Sequence, residues 1–151
     1  MSTPKNWVAL VCADALSWEG TPYVPKARVK GVGVDCGGLL YEVYNPYFGP
    51  FPPMPQDYPP DWALHGNEER YLDFIMPHVT QVPAILPGGF SLFHMGLVYA
   101  HAAIMLTNGR YIHAWGRARE GRVTQSYVRT MDALVRLNGG FPVKHFYPIE
   151  K

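Results

Sequence analysis

The chain has 151 residues, of which 48% are hydrophobic and 17% charged, and its formal net charge is +1. This composition excludes a disordered chain, and the length predicts a single domain spanning residues 1–151. The near-zero charge argues against nucleic-acid and anionic-membrane partners, and no stretch approaches the ~20 apolar residues that insert into a membrane. Lys5, Asp14 and Glu19 interrupt the apolar residues of the first segment. We therefore expect no secretory signal peptide and a protein made in the cytoplasm.

The first half of the chain predicts two helices joined by a glycine-rich loop. Residues 3–18 favour a helix in which Thr3 is the N-cap and Pro4 fits the first turn. Cys12, in the middle of this helix, is expected to lie in the protein core. Helical spacing places further apolar side chains on one stripe: Trp7, Val8, Leu10, Val11 and Ala15. A second, short apolar helix is expected to begin at or just after Cys36.

A proline-rich insertion with aromatic residues is predicted at about residues 45–66. Seven of the fifteen residues from Pro46 to Pro60 are proline, a density that excludes helix interior and central strand. Two interpretations remain open. The segment is either a rigid extended surface loop, or an aromatic arm that lines a cleft or docks a partner. A short helix then follows, capped by Asn67 and stopped by Pro77.

The last third of the sequence predicts an antiparallel sheet. Alternating apolar segments indicate strands at residues 90–95, 97–107, 110–115, 122–125 and 143–149, with a short helix at 131–137. Helices followed by a meander indicate an α+β fold, with the N-terminal helices packed on a central antiparallel sheet.

Cys36 is the residue whose position most suggests chemistry. The positive end of a helix dipole and the unpaired N–H groups at a helix start both favour a thiolate. Gly37 and Gly38 leave room for a substrate backbone to approach the sulfur. The alternative for this residue is a buried structural cysteine. No C-x-x-C, H-E-x-x-H or phosphate-binding glycine loop is present, so we expect no metal and no cofactor.

Two histidines interrupt otherwise apolar strands. His101 lies in LVYAHAAIML and His113 in YIHAW. A thiolate paired with an imidazole, which a third polar group orients, is the arrangement used for nucleophilic catalysis. The remaining histidines lie in loops or at strand ends and are interpreted as surface residues: His65, His78, His94 and His145.

The chain resembles the NlpC-type cysteine peptidases, which cut peptide bonds in bacterial peptidoglycan on a papain-like α+β fold. The resemblance rests on GTPY at residues 20–23, DCGGLL at 35–40, HAAIM at 101–105 and NGRYIHA at 108–114, including their order and spacing. It implies that Cys36 is the nucleophile, that His101 is the general base and acid, and that His113 orients His101. It further implies that Tyr23 lies beside the sulfur, and that Asp35 helps to hold the free amino end of a stem peptide.

Two departures from this family pattern are present. The family usually has an acidic residue after the glycine that precedes the strand leading to the catalytic histidine, and here that position is Gly89. The proline-rich insertion is absent from the secreted cell-wall enzymes. It resembles instead the branch encoded with phage and phage-like tail genes, which implies a location at the virion tail tip.

These observations lead to one functional hypothesis and two alternatives. We expect a cysteine endopeptidase that hydrolyses peptidoglycan stem peptides, without cofactor, with other tail-tip or baseplate proteins as partners. The first alternative is a structural tail-tip protein that retains the peptidase fold. The second is an acyltransferase, since an acyl-cysteine can pass its acyl group to an amine as well as to water.

The loop between the two histidine strands decides whether His101 and His113 can meet. A two-residue Asn108-Gly109 turn would pair Thr107 with Arg110 and place the histidines on opposite faces. A three-residue loop would pair Leu106 with Arg110 and place them on one face, at diagonal positions. Local preference favours the shorter turn. Because catalysis requires the longer loop, we predict the longer loop.

Overall fold

A computed structural model describes residues 2–54, 69–116, 121–137 and 139–151. Four helices and eight strands lie in these ranges. In chain order they are α1 (Trp7–Ser17), β1 (Arg28–Val29), β2 (Gly33–Val34), α2 (Cys36–Phe48), α3 (Arg70–Ile75) with a 3₁₀ turn (Met76–His78), β3 (Val79–Val82), β4 (Phe90–Met95), β5 (Val98–Met105), β6 (Arg110–Trp115), β7 (Arg122–Tyr127), α4 (Val128–Leu137) and β8 (Lys144–Pro148).

Six of the strands form one antiparallel sheet in the order β3-β8-β4-β5-β6-β7, and β1 and β2 form a separate two-stranded ribbon. The predicted meander is confirmed from β4 to β7. Strand β8 lies between β3 and β4, with Phe146 opposite Gln81 on one side and Phe90 on the other. Strand β3 was not predicted. The α+β architecture is confirmed.

The sheet buries both of its faces. Helices α1 and α2 pack on one face, against a cluster that includes Phe90, Leu92 and Ile104. Helix α4 covers part of the other face, where Met131 contacts a cluster that includes Tyr111. Within the described residues, no helix is long and apolar enough to cross a membrane.

The predicted N-cap of the first helix is wrong. Helix α1 begins at Trp7 after Asn6, whose side chain makes no capping bond. Thr3 binds the other end of the chain instead. Its N–H donates to the Lys151 carbonyl at 3.0 Å, and its hydroxyl accepts the Lys151 N–H at 2.9 Å. Long-range pairing therefore occupies the side chain that local preference assigned to the helix. Cys12 lies in the core as predicted.

Helix α2 runs further than predicted and contains Pro46. Its start at Cys36 agrees with the sequence analysis. The prediction that the prolines end helical structure at once is wrong, because Pro46 lies in the final turn and aromatic packing holds that turn. Phe48 is buried, and its ring meets the Trp7 ring at 5.1 Å. Tyr47 donates a 2.6 Å hydrogen bond to Asp14.

The structure describes only the start of the predicted insertion. Phe51 lies inside the fold, against the ring of His78 at 4.9 Å, so this part of the segment is not a solvated loop. Residues 55–66, with His65, fall outside the described residues, as does the predicted cap Asn67.

The interpretation of the other histidines as surface residues is wrong for His94, which is 5% exposed and stacks on Phe141 at 3.8 Å. His94 lies at an irregularity in the β4–β5 register, where it follows the buried Phe93 and pairs with Tyr99. His78 and His145 are half-buried. His145 Nδ1 lies 2.7 Å from the hydroxyl of Ser91, its cross-strand partner.

The hairpin between β5 and β6 has the predicted three-residue loop. Ile104 pairs with Ile112 and Met105 with Tyr111, which continues to Leu106 opposite Arg110. The Leu106 N–H donates to the Arg110 carbonyl at 2.9 Å. Gly109 closes the loop with φ +80°, a left-handed conformation that glycine adopts without steric cost. The parity prediction is confirmed.

Candidate active site

The first turn of α2 is fixed by the carboxylate of Asp35. One oxygen accepts the N–H of Gly38 at 2.7 Å, and the other accepts the N–H of Lys26 at 2.8 Å. Asp35 therefore caps the helix and ties the preceding loop to it. These two bonds set where the next residue, Cys36, begins the helix.

The Cys36 side chain lies where β5 and β6 separate. Its thiol donates to the Ala100 carbonyl at 3.4 Å, and the Ala102 N–H also reaches the sulfur, where it lowers the thiol pKa. The hairpin register would place Ala102 opposite Ala114, yet the described β5–β6 pairing ends at Ile104. The thiol therefore contacts the Ala100 carbonyl and the Ala102 N–H, which lie on either side of His101. In a continuous β-ladder these two groups would bond to β6.

His101 and His113 are in direct contact. Nε2 of His101 lies 2.8 Å from Nδ1 of His113, and Nε2 of His113 lies 3.0 Å from the hydroxyl of Ser126. The Trp115 ring packs on both imidazoles, with centroids 5.0 and 5.4 Å away. Both histidines are buried. The three polar groups form a chain that runs from β5 through β6 to β7.

Burial controls the protonation of these groups. Burial, with a smaller contribution from the negative charge of Asp35, raises the pKa of the Cys36 thiol from 9.0 to about 12. Desolvation therefore opposes the stabilisation of a thiolate that the helix start was expected to provide. Burial lowers the pKa of His113 from 6.5 to about 4, so His113 is neutral at pH 7.

A neutral His113 can accept a hydrogen bond from His101. When Nε2–H of His113 donates to Ser126, its Nδ1 lone pair accepts the Nε2–H of His101. Because Nε2 of His101 is then committed, proton exchange with a thiol goes through Nδ1. The arrangement favours the His101 tautomer that a general base requires, and the same contact would stabilise an imidazolium formed by protonation of Nδ1.

Tyr23 and Gly37 contact different parts of the fold. Tyr23 forms a bridge to Val34, and its ring packs where a Cβ on Gly116, just after β6, would stand. Gly37 is buried against the ring of Tyr71, whose hydroxyl donates to the Cys36 carbonyl at 3.4 Å.

Gly89 leaves no room for the acid that the family pattern carries there. A Cβ at this position would lie 2.7 Å from the Phe146 carbonyl oxygen and 3.1 Å from that of Leu86. The close approach of β8 therefore requires glycine. The described residues contain no group of three or more His, Cys, Asp or Glu side chains that could hold a metal ion.

Comparisons with known proteins identify the fold. No protein-family model and no curated protein sequence matches the chain. Among solved structures, the NlpC/p60 domain of the peptidoglycan hydrolase SagA is 21% identical with a TM-score of 0.56, and the match covers 94% of this chain and 98% of that domain. NlpC2 from Trichomonas vaginalis is 16% identical with a TM-score of 0.61, over 98% of this chain and 49% of that one.

A third structure, of an NLP/P60-family protein from Staphylococcus aureus described as similar to lipoprotein, is 21% identical with a TM-score of 0.53, over 88% of this chain and 40% of that one. The chain thus spans about half or less of this protein and of NlpC2, and nearly all of the SagA domain. Its fold is the papain-like α+β fold of NlpC/p60 domains, as the sequence resemblance implied.

Asp35→Asn should lower the pKa of Cys36, because it removes the negative charge that raises this pKa. At a fixed pH below that pKa, alkylation of Cys36 should be faster in the variant, as followed by mass spectrometry. The loss of the bond from Lys26 should also cost about 1 kcal/mol of unfolding free energy. Asp14→Asn, which changes a carboxylate bonded to Tyr47, is the control. Equal alkylation rates in all three proteins would contradict the prediction.

The depressed pKa of His113 should make stability depend on pH. The unfolded chain binds a proton near pH 6.5 and the folded protein only near pH 4. The free energy of unfolding should therefore fall by about 3 kcal/mol between these values as pH decreases, and this contribution should be constant outside them. Denaturant unfolding of wild type and His113→Asn across this window measures the effect. If the unfolding free energies of the two proteins change with pH in parallel, the pKa of His113 is not depressed and the prediction is wrong.

Proposed function

We propose that the protein is a cysteine endopeptidase that hydrolyses peptide bonds in peptidoglycan stem peptides, with Cys36, His101 and His113 as its catalytic residues. The observation that carries this proposal is the position of the Cys36 thiol against the backbone on both sides of His101, whose ring is held by His113. The fold shared with the NlpC/p60 domain of a peptidoglycan hydrolase supports the choice of substrate.

Attack begins with proton transfer from the Cys36 thiol to Nδ1 of His101. The sulfur adds to the scissile carbonyl, and the oxyanion is stabilised by the backbone N–H of Cys36, which lies near the sulfur. The C–N bond then breaks, and His101 returns the proton to the leaving amine. Water, activated by His101, hydrolyses the thioester and restores the thiol. His113 accepts the Nε2–H of His101 throughout.

The raised pKa of Cys36 makes this a mechanism with a neutral resting thiol. The thiolate of Cys36 and the imidazolium of His101 form only when the proton moves between them. The imidazolium must therefore be stabilised at that moment. The neutral ring of His113 supplies an acceptor for it, and Ser126 fixes the orientation of that ring. The reaction therefore depends on the whole chain of contacts across three strands.

The substrate-binding roles in this proposal fall to residues around the first turn of α2. Gly37 contributes its backbone to the substrate site, because Tyr71 and Met54 fill the space where its side chain would stand, and Tyr23 packs against Gly116 just after β6. Asp35 receives the free amino end of the stem peptide. Its two backbone bonds leave carboxylate lone pairs for this contact.

Cys36→Ala should abolish the release of muropeptides from purified peptidoglycan while the melting temperature stays close to that of wild type. Cys12→Ala is the matched control, because Cys12 is buried in the core on α1. It should lower stability by about 1 kcal/mol and keep activity at temperatures where it is folded. Equal, negligible release by wild type and Cys36→Ala would favour a structural protein that only retains the fold.

We further propose that the protein is carried at the tail tip of a phage or phage-like particle and acts there on the host wall. The support is the proline-rich aromatic segment at residues 45–66, which resembles that of tail-associated peptidases. Mass spectrometry and immunogold labelling of purified particles should detect the chain at the tail tip, bound to baseplate proteins. Its recovery only as free protein in the lysate would contradict this location.

A further inference from the structure

A pocket with an apolar wall lies beside the first turn of α2. Helix α2 and the end of β8 form two of its sides, and α3 and β3 close it. Among the described residues of its wall are Gly37, Leu40, Tyr44, Phe74, Val79 and Phe90. Concave, mainly apolar pockets of this kind are the usual binding sites for small organic groups.

Two of the pocket's tyrosines have hydroxyls that are bonded to backbone carbonyls. Tyr41 donates to the Phe51 carbonyl at 3.1 Å, and Tyr44 donates to the Gly88 carbonyl at 2.6 Å. Each ring therefore contributes its hydrocarbon surface to the wall, while its polar atom is satisfied by the backbone. His78 is the one titratable imidazole in the described wall, and its ring is packed against Phe51.

The pocket begins one residue from the nucleophile. Gly37 is part of its wall, and a Cβ there would lie 2.9 Å from the ring of Tyr71 and 3.0 Å from the terminal methyl of Met54. Tyr71 also donates to the Cys36 carbonyl. The pocket therefore adjoins the backbone of the residue that carries the thiol.

We propose that this pocket binds an uncharged hydrocarbon group that the substrate carries beside the bond attacked by Cys36. The inference rests on the proposed function and defines its specificity. A charged group would lose its hydration in this pocket, whose described wall has no carboxylate, lysine or arginine and a single imidazole, that of His78. Each methylene group buried there is stabilised. The pocket thus favours an alkyl or aryl substituent and leaves charged ends of the substrate outside.

A series of N-alkylmaleimides tests this inference without requiring peptidase activity. The Cys36 sulfur adds to the maleimide double bond, and the neighbouring carbon takes up a proton, so the alkyl group is delivered beside Gly37. The second-order rate of Cys36 modification, located by peptide mass spectrometry, should rise about 10-fold or more from N-ethyl to N-hexylmaleimide. A flat series in wild type would overturn the proposal.

Val79→Trp fills the pocket from β3, and Thr80→Trp places the same ring on the exposed neighbouring position. The first variant should remove the chain-length dependence and keep the N-ethylmaleimide rate, which shows that Cys36 is intact. The second should behave as wild type. A chain-length dependence that persists in Val79→Trp would also overturn the proposal.

The two proposals fail in different ways. Absence of muropeptide release together with a steep maleimide series would reject the peptidase function and retain the hydrocarbon pocket. Release of muropeptides together with a flat series would retain the peptidase and reject the pocket.

Discussion

The alternation of side chains along β5 and β6 is the constraint on which the candidate site depends. His101 and His113 share a face of the sheet only because the loop between their strands has three residues, which Gly109 closes in a left-handed conformation. One residue fewer would turn one imidazole to the opposite face. The 2.8 Å contact between the rings, and the link onward to Ser126, then follow from strand geometry alone.

The energetics of Cys36 show why position in a helix does not by itself make a reactive thiolate. The rise of its pKa from 9.0 to about 12 corresponds to about 4 kcal/mol against the charged form. A helix terminus contributes about 0.3–1 kcal/mol in favour of an anion. Desolvation, to which the charge of Asp35 adds, is the larger effect, so the neutral thiol is favoured. Burial lowers the pKa of His113, so its ring stays neutral and its Nδ1 remains a hydrogen-bond acceptor.

Much of this arrangement could be predicted from the sequence, because it is encoded locally. Neighbouring residues specify three of its features: the start of α2 at Asp35–Cys36, the strands that carry the two histidines, and the glycine that closes their hairpin. What could not be predicted depends on distant parts of the chain. Thr3 is a residue type that often caps helices, but its hydrogen bonds are to Lys151.

The same reason accounts for the other errors. Ser126 carries no signal of its own, since its contact with His113 depends on how β7 is placed beside β6. His94 lies at an irregularity in the β4–β5 register, which its own segment does not indicate. Pro46 is tolerated because Phe48 packs on α1. Strand β3 is short, and its pairing partner β8 lies more than sixty positions later in the sequence.

The place of β8 within the sheet has a consequence for the order of folding. Because this strand lies between β3 and β4 and comes from residues 144–148, a ribosome must pass residue 148 before the sheet can close. The hairpins from β4 to β7 are local and can form earlier, but β3 and β4 each keep an unpaired edge until β8 arrives. A nascent chain can therefore have β4 to β7 paired while β3 and β4 still lack β8 between them. In that state the unpaired strand edges can associate with other chains.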